Sequence, residues 1–310
     1  MIREPVAFEP GYWAGAPGVF YDREDGTWYL TYRIRRPRGV APDRGGEARI
    51  ARSKDLKTWE DIWSVTKDKF GSASIERCAL RKGTDGLWRY YVSYVDPADN
   101  RWGVSQITAS DISELNPKHA KSLFKARSFD LEGVKDPWIY ADDGKFYMLL
   151  SVAAPTPKTD ADSHSTADIF NTGECVSATA LAVSSDLDHW DWKGVVFKPE
   201  SRSWDSYCRR LNSVIPVGIQ LLGFYDGSAG HHENYEEKCG LAASNNWLDW
   251  KSLTADAPAF TSPHSSKSLR YLDAQIADDE GYLFYEFARP DGSHDLRFAK
   301  SKVESLAGLL

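Results

Sequence analysis

Methionine and cysteine are scarce, with two Met and four Cys among 310 residues. Cys78, Cys175, Cys208 and Cys239 are widely spaced. They form no Cys-x-x-Cys pair and have no histidine at zinc-ligand spacing, so a zinc ribbon or dithiol redox motif is excluded and free thiols are expected. No run approaches the 18 consecutive apolar residues of a membrane-spanning helix. The N-terminal MIREPVAFEP lacks the basic-then-apolar order of a signal peptide. A soluble, cytoplasmic protein without membrane association is the expectation. A basic surplus is missing as well: the formal net charge is −7, which excludes a general nucleic-acid binder needing a cationic surface. Long amphipathic helices between strands, which an α/β barrel of this length requires, are also lacking.

What the chain has in quantity is aromatic residues: fifteen Tyr, thirteen Phe and twelve Trp. That load suits half-buried strands better than helices. A weak internal repeat organises it. A glycine precedes an aromatic or aliphatic run at Gly26 (GTWYLTY), Gly86 (GLWRYYVSY), Gly144 (GKFYMLL), Gly218 (GIQLLGFY) and Gly281 (GYLFYEF). Each run is followed by a Ser-Asp-Leu-Trp-like segment: ARSKDLKTW, TASDISEL, AVSSDLDHW, AASNNWLDW and AKSKVESL. Another apolar run precedes each glycine. Strand, turn, strand, loop, strand and a fourth strand therefore recur, predicting an all-β, five-bladed β-propeller that fills residues 1–310 as a single domain.

In a propeller the first strand of each blade begins at one end of the central channel, and the loop joining the second and third strands lies at that same end. Those loops, such as RIRRPRGVAPDRGGE and YDGSAGHHENYEEKCG, are rich in charge, histidine and glycine. The opposite turns, REDG, GTDG, ADDG and ADDEG, are ordinary hairpin sequences. Counting back eight residues from the turn glycine gives the mouth position: Asp136, Arg210 and Asp273, with Ala16 and the pair Glu76 and Arg77 as counterparts in the first two blades. A charged side chain there faces the channel while the rest of its strand is buried.

Five blades, with DPWIYADDGKFYMLLS in the third, resemble the five-bladed propeller glycosidases: glycoside hydrolase family 43, family 32 with the invertases and levanases, and the mannoside phosphorylases and hydrolases of family 130. The resemblance covers the whole chain. It implies carbohydrate as the binding partner and catalysis by channel carboxylates. In the arabinanase and invertase groups the first blade supplies an Asp base or nucleophile, the third an orienting Asp and the fourth a Glu acid. Asp136 matches the third. Ala16 stands at the first, and Arg209 and Arg210 at the fourth. Glu174 in GEC is similar to an invertase motif but falls in the third-blade loop. The mannoside phosphorylases also lack the first-blade Asp and bind phosphate through basic residues, for which RIRRPR, with Arg33, Arg35, Arg36 and Arg38, is the counterpart.

Glycoside cleavage uses one carboxylic acid to protonate the leaving oxygen and one carboxylate to activate water or attack the sugar. Glu76 and Asp273 are the candidates for those two roles, in either order, with Asp136 orienting the substrate; Asp226, Glu236 and Glu286 are alternatives. Arg35, Arg77, Arg210, Arg270 and His294 are expected to hold sugar hydroxyls or an anionic group, since a guanidinium fork matches a carboxylate or phosphate. Trp13, Trp102 and Tyr225 are candidates to stack on a pyranose. No cofactor and no metal are expected. Hydrolysis of a small or terminal glycoside, neutral or anionic, is the leading function. The rivals are a phosphorylase, a non-catalytic carbohydrate-binding propeller, and a uronate lyase or isomerase using His231, His232 and His294.

Overall fold

The computed structural model describes residues 1–200 and 203–310. Its strands run as successive antiparallel meanders. The first comprises β1 (Trp13–Asp22), β2 (Thr27–Arg35), β3 (Glu47–Ser53) and β4 (Glu60–Thr66). The second comprises β5 (Ile75–Lys82), β6 (Trp88–Val95), β7 (Trp102–Ala109) and β8 (Lys121–Lys125). Then follow β9 (Gly133–Asp142), β10 (Lys145–Pro155), β11 (Cys175–Ser184) and β12 (Asp191–Phe197), and after them β13 (Cys208–Val217), β14 (Gln220–Ser228), β15 (Lys238–Ser244) and β16 (Lys251–Ser252). The last has β17 (Leu269–Ala277), β18 (Glu280–Ala288) and β19 (His294–Lys302). The leading strands β1, β5, β9, β13 and β17 pack on one another in cyclic order.

The repeated serine segment is a local device. Ser53 Oγ accepts from Leu56 N, Asp55 accepts from Lys57 N and Thr58 N, and Trp59 Nε1 returns to Leu56 O. Ser184, Asp186 and Trp190 repeat the pattern, as do Ser244, Asn246 and Trp250. Such side-chain bonds satisfy the backbone of a tight turn, and the pivots Leu56, Leu187 and Trp247 all have positive φ.

A fourth strand is absent from the last meander, contrary to the repeat. Its VESLA forms helix α1 (Val303–Ala307), whose Leu306 is buried. The outer edge of β19 is met instead by the N-terminal segment, where Arg3 pairs with Leu296. Chain start and chain end thus lie on one sheet, an arrangement that covers an exposed edge.

Every leading strand carries an irregularity in its register. Ala16 and Pro17 stand opposite one residue of β2, and Glu76 with Arg77, Asp136 with Pro137, and Tyr271 with Leu272 do the same in their own meanders. The extra residue bends the strand and re-aims a side chain. Ala16, Asp136 and Tyr271 adopt φ of 52°, 56° and 52°. Counting from Gly281 therefore misplaced the mouth of the last meander. Its hairpin turns at Asp278 and Asp279, both at positive φ, and Gly281 already belongs to β18. The counterpart of Asp136 is Tyr271, and Asp273 lies two residues deeper.

Candidate active site

Two tiers of charge are built on the leading strands. The lower is Arg77 and Asp273, both fully buried. Asp273 accepts from Val19 N at 2.8 Å, Arg77 Nη2 at 3.1 Å, Trp138 Nε1 at 3.0 Å and Gln275 Nε2 at 2.7 Å, so both its oxygens are occupied. Arg77 is equally committed, donating from Nε to Pro17 O and from Nη1 to Asn212 O. Its backbone N–H reaches up to Asp136 Oδ1 at 3.2 Å, joining the tiers.

The upper tier gathers residues from every meander. Arg33 pairs with Glu76, whose Oε2 also accepts from the Tyr271 hydroxyl at 3.3 Å. Arg270 bridges Glu286 and Glu237, each at 2.8 Å, and Arg210 holds Glu237 from the other side. Asp226 accepts from Tyr271 N at 2.9 Å, and Lys135 Nζ stands 3.7 Å from Asp136 Oδ2. His294 lies between carboxylates, its Nδ1 hydrogen-bonded to Glu286 at 2.8 Å and its Nε2 3.0 Å from Glu236. Glu286 approaches β1 so closely that a Cβ on Gly15 would lie 1.9 Å from its Oε2, which explains the glycine at that position.

Burial raises the cost of every charge here, and the neighbours decide which charges survive. Burial works to raise Glu76, but Arg33, Lys135, Arg270 and Arg35 outweigh it and bring it down to about 2. Glu237 is likewise buried, yet Arg210 and Arg270 hold it at about 2. Asp226 goes the other way: burial and the adjacent Glu237 charge push it up to about 7, against the pull of Arg210 and Arg270. Burial disfavours the His294 imidazolium, but Glu236 and Glu286 raise its pKa above the ordinary value. The tier therefore holds a carboxyl protonated near neutrality beside carboxylates held ionised. Among the described residues, Asp226 Oδ2, Asp136 Oδ2, Arg33 Nη2, Arg210 Nε and Arg270 Nη2 are buried without a hydrogen-bond partner.

A roof closes the site. The Arg35 guanidinium lies between Trp13, 3.7 Å from its ring centroid, and Tyr235 at 4.5 Å, and burial lowers its pKa to about 10. Above it the buried carboxylate of Asp168 receives Arg38 at 2.6 Å, Arg44 at 2.8 Å and the Tyr235 hydroxyl, tying together loops from three meanders. The RIRRPR run is thereby divided: Arg33 and Arg35 point inward from β2, whereas Arg38 belongs to the roof.

The structure brings Glu76, Asp136, Asp226, Glu286, Arg210, Arg270 and His294 into this tier, with Arg35 above it, Glu236 at its edge, and Arg77 with Asp273 below. Tyr225 is not a sugar platform: its hydroxyl binds Asp205 at 2.7 Å and its ring packs on Phe197 and Trp204 in the core. Trp13 is covered by Arg35 and by His294, 4.5 Å away. Trp102 is buried under Lys135. Glu174 anchors its loop, its carbonyl accepting from Thr156 and Thr159. Sequence reasoning overlooked Glu237 and Tyr271. Glu237 is adjacent to the chosen Glu236 in the loop before β15, and it is Glu237 whose side chain is fully buried against Arg210 and Arg270. Tyr271 was hidden by the miscounted hairpin. All four cysteines are free and buried. Among the described residues no acidic, histidine or cysteine group is arranged to hold a metal ion, and no helix is long and apolar enough to cross a membrane.

No family model and no curated protein sequence matches the chain. Solved structures do. The chain is similar to a thermostable family-43 glycoside hydrolase at 15% identity, with 93% of this chain and 89% of that one covered and a TM-score of 0.62. It shares the fold of that enzyme. An α-L-arabinofuranosidase from Lactobacillus brevis aligns at 16% identity over 92% and 90% of the two chains, with a TM-score of 0.63. A β-1,2-mannobiose phosphorylase from Listeria innocua, in complex with β-1,2-mannobiose, aligns at 14% identity over 99% and 95%, with a TM-score of 0.64.

Proposed function

We propose that the chain is a glycosidase, a five-bladed propeller over residues 1–310 acting on a small or terminal glycoside at the upper tier. The cyclic packing of β1, β5, β9, β13 and β17 supports the five blades, and the solved structures of the same fold support glycoside chemistry. The observation that carries the reading is the placement of Asp226 and Glu76 at the two ends of Tyr271, where burial and Glu237 raise the pKa of the first while Arg33 and Lys135 lower that of the second. Asp226 is the acid that protonates the leaving oxygen. Glu76 is the ionised partner; its Oε1 takes no protein donor and is available to activate the attacking group. Asp136, next to Lys135, orients the sugar. The proton-transfer role passes to Asp226 rather than Asp273, because an acid whose every lone pair is bound by donors has no proton to give.

A second reading rests on the charge of the tier. With Asp226 neutral, Glu76, Asp136, Glu237 and Glu286 face the cations Arg33, Arg35, Lys135, Arg210 and Arg270, a surplus of positive charge with buried N–H groups unpartnered. An anion would satisfy it, either a carboxylate on the sugar or inorganic phosphate as attacking group. Aryl and natural disaccharide glycosides, assayed with and without phosphate, separate these outcomes. Turnover without phosphate, with free sugar as product, is expected. Turnover that appears only with phosphate and yields a sugar 1-phosphate would make the chain a phosphorylase, and tight sugar binding with no turnover under either condition would make it a binding module.

A further inference from the structure

At the opposite end of the ring the leading strands splay around a cavity of about 370 Å³. Its walls are apolar, from Phe20, Ile139, Val214, Pro216 and Ile276, and every charged side chain that lines it is cationic: Arg23, Arg81 and Lys82. Lys82 is answered by Asp22 at 3.3 Å and Glu24 at 3.5 Å. Arg23 is exposed and, among the described residues, donates only to the Ile276 carbonyl.

Arg81 is the anomaly. It is only 8% exposed, and among the described residues no carboxylate pairs with it. Its donors go to the backbone carbonyls of Val19, Leu80 and Ile139, one from each of three leading strands. The carboxylate whose charge reaches it, Asp273, is already occupied by Arg77 and three further donors. Burial accordingly lowers its pKa to about 10. A buried guanidinium without a counter-charge is costly, and proteins seldom keep one unless something pairs with it. Carbonyl bonds fix the plane of the fork without neutralising it, which is the preorganisation that bidentate recognition of an oxyanion requires.

We infer that this end of the ring is a second ligand site, for a small carboxylate carried on an apolar body, aromatic or branched aliphatic. The carboxylate meets Arg81, with Arg23 at the rim, and the body fills the space between Phe20, Ile139 and Ile276. This site is independent of the glycosidase reading, because none of its residues belongs to the upper tier.

Benzoate serves as the probe, titrated calorimetrically into the full chain, with inorganic phosphate as the oxyanion lacking an apolar body. Benzoate is expected to bind more tightly than phosphate and to weaken as salt is raised. Because Arg81→Met risks the fold, two surface variants carry the test. Arg23→Glu removes a rim cation, and Ala141→Glu places a competing carboxylate at the exposed edge of the cavity. Each should weaken benzoate about tenfold or more, in line with loss or reversal of one charge-assisted contact. Undetectable benzoate binding, or affinity unchanged in both variants, would overturn the proposal. So would binding that survives both but is lost in Arg38→Met, which would place the anion at the upper end.

Discussion

Replacing Asp226 with asparagine exchanges the carboxyl O–H for an amide NH2 and removes the charge that the carboxyl acquires above about pH 7. The amide keeps an oxygen for Tyr271 N but has no acidic proton, so turnover should fall by about 10²–10⁴-fold, the usual contribution of general acid catalysis. The stability effect has the opposite sign. A carboxyl raised from 3.8 to about 7 on folding contributes stability that is fully present below pH 3.8 and is lost as pH rises through about 7. At one pKa unit per 1.36 kcal/mol the loss amounts to roughly 4 kcal/mol as a ceiling, since Asp226 shares its proton with Glu237. Asparagine is immune to that loss. The variant should therefore exceed the wild type in urea unfolding at pH 8.5, exceed it by less at pH 5, where only part of the loss has occurred, and remain nearly inactive at both. The wild-type kcat/KM should decline above about pH 7, as the acid loses its proton. An Asp226→Asn protein with normal turnover, or one less stable than wild type at pH 8.5, would refute the assignment.

Asp273→Asn should be inactive for a different reason: it leaves Arg77 buried beside a neutral amide, at a cost of about 3–5 kcal/mol that denaturant unfolding should show. A stable but inactive Asp273→Asn would return the proton-transfer role to this residue. Asp168→Ala removes the common acceptor of Arg38, Arg44 and Tyr235. Cleavage of the loops near residues 36–46 and 156–174 by added protease should become faster while global unfolding shifts little; unchanged cleavage would show that the roof is held by its other contacts.

Much of the fold was present in local chemistry. Turn residues and alternating aromatics write themselves into a strand repeat, because side-chain bonds within three or four residues and the two-residue period of a strand need no distant partner. Asp136 stood out for the same reason: a charge before a buried strand, followed by proline, marks a position where the strand bends. What lies across strands was not. The identity of the hairpin turn at Asp278 and Asp279 decided whether Asp273 or Tyr271 stands beside Asp136, and two residues of error moved a carboxylate from the site to its foundation. Glu236 and Glu237 are adjacent and alike in sequence, and only the folded path of the loop before β15 turns one toward Arg210 and Arg270. Above all, the protonation of Asp226 is a property of no residue by itself. It comes from burial and from the charge of Glu237 in the loop before β15, and only packing brings that carboxylate close to Asp226 on β14.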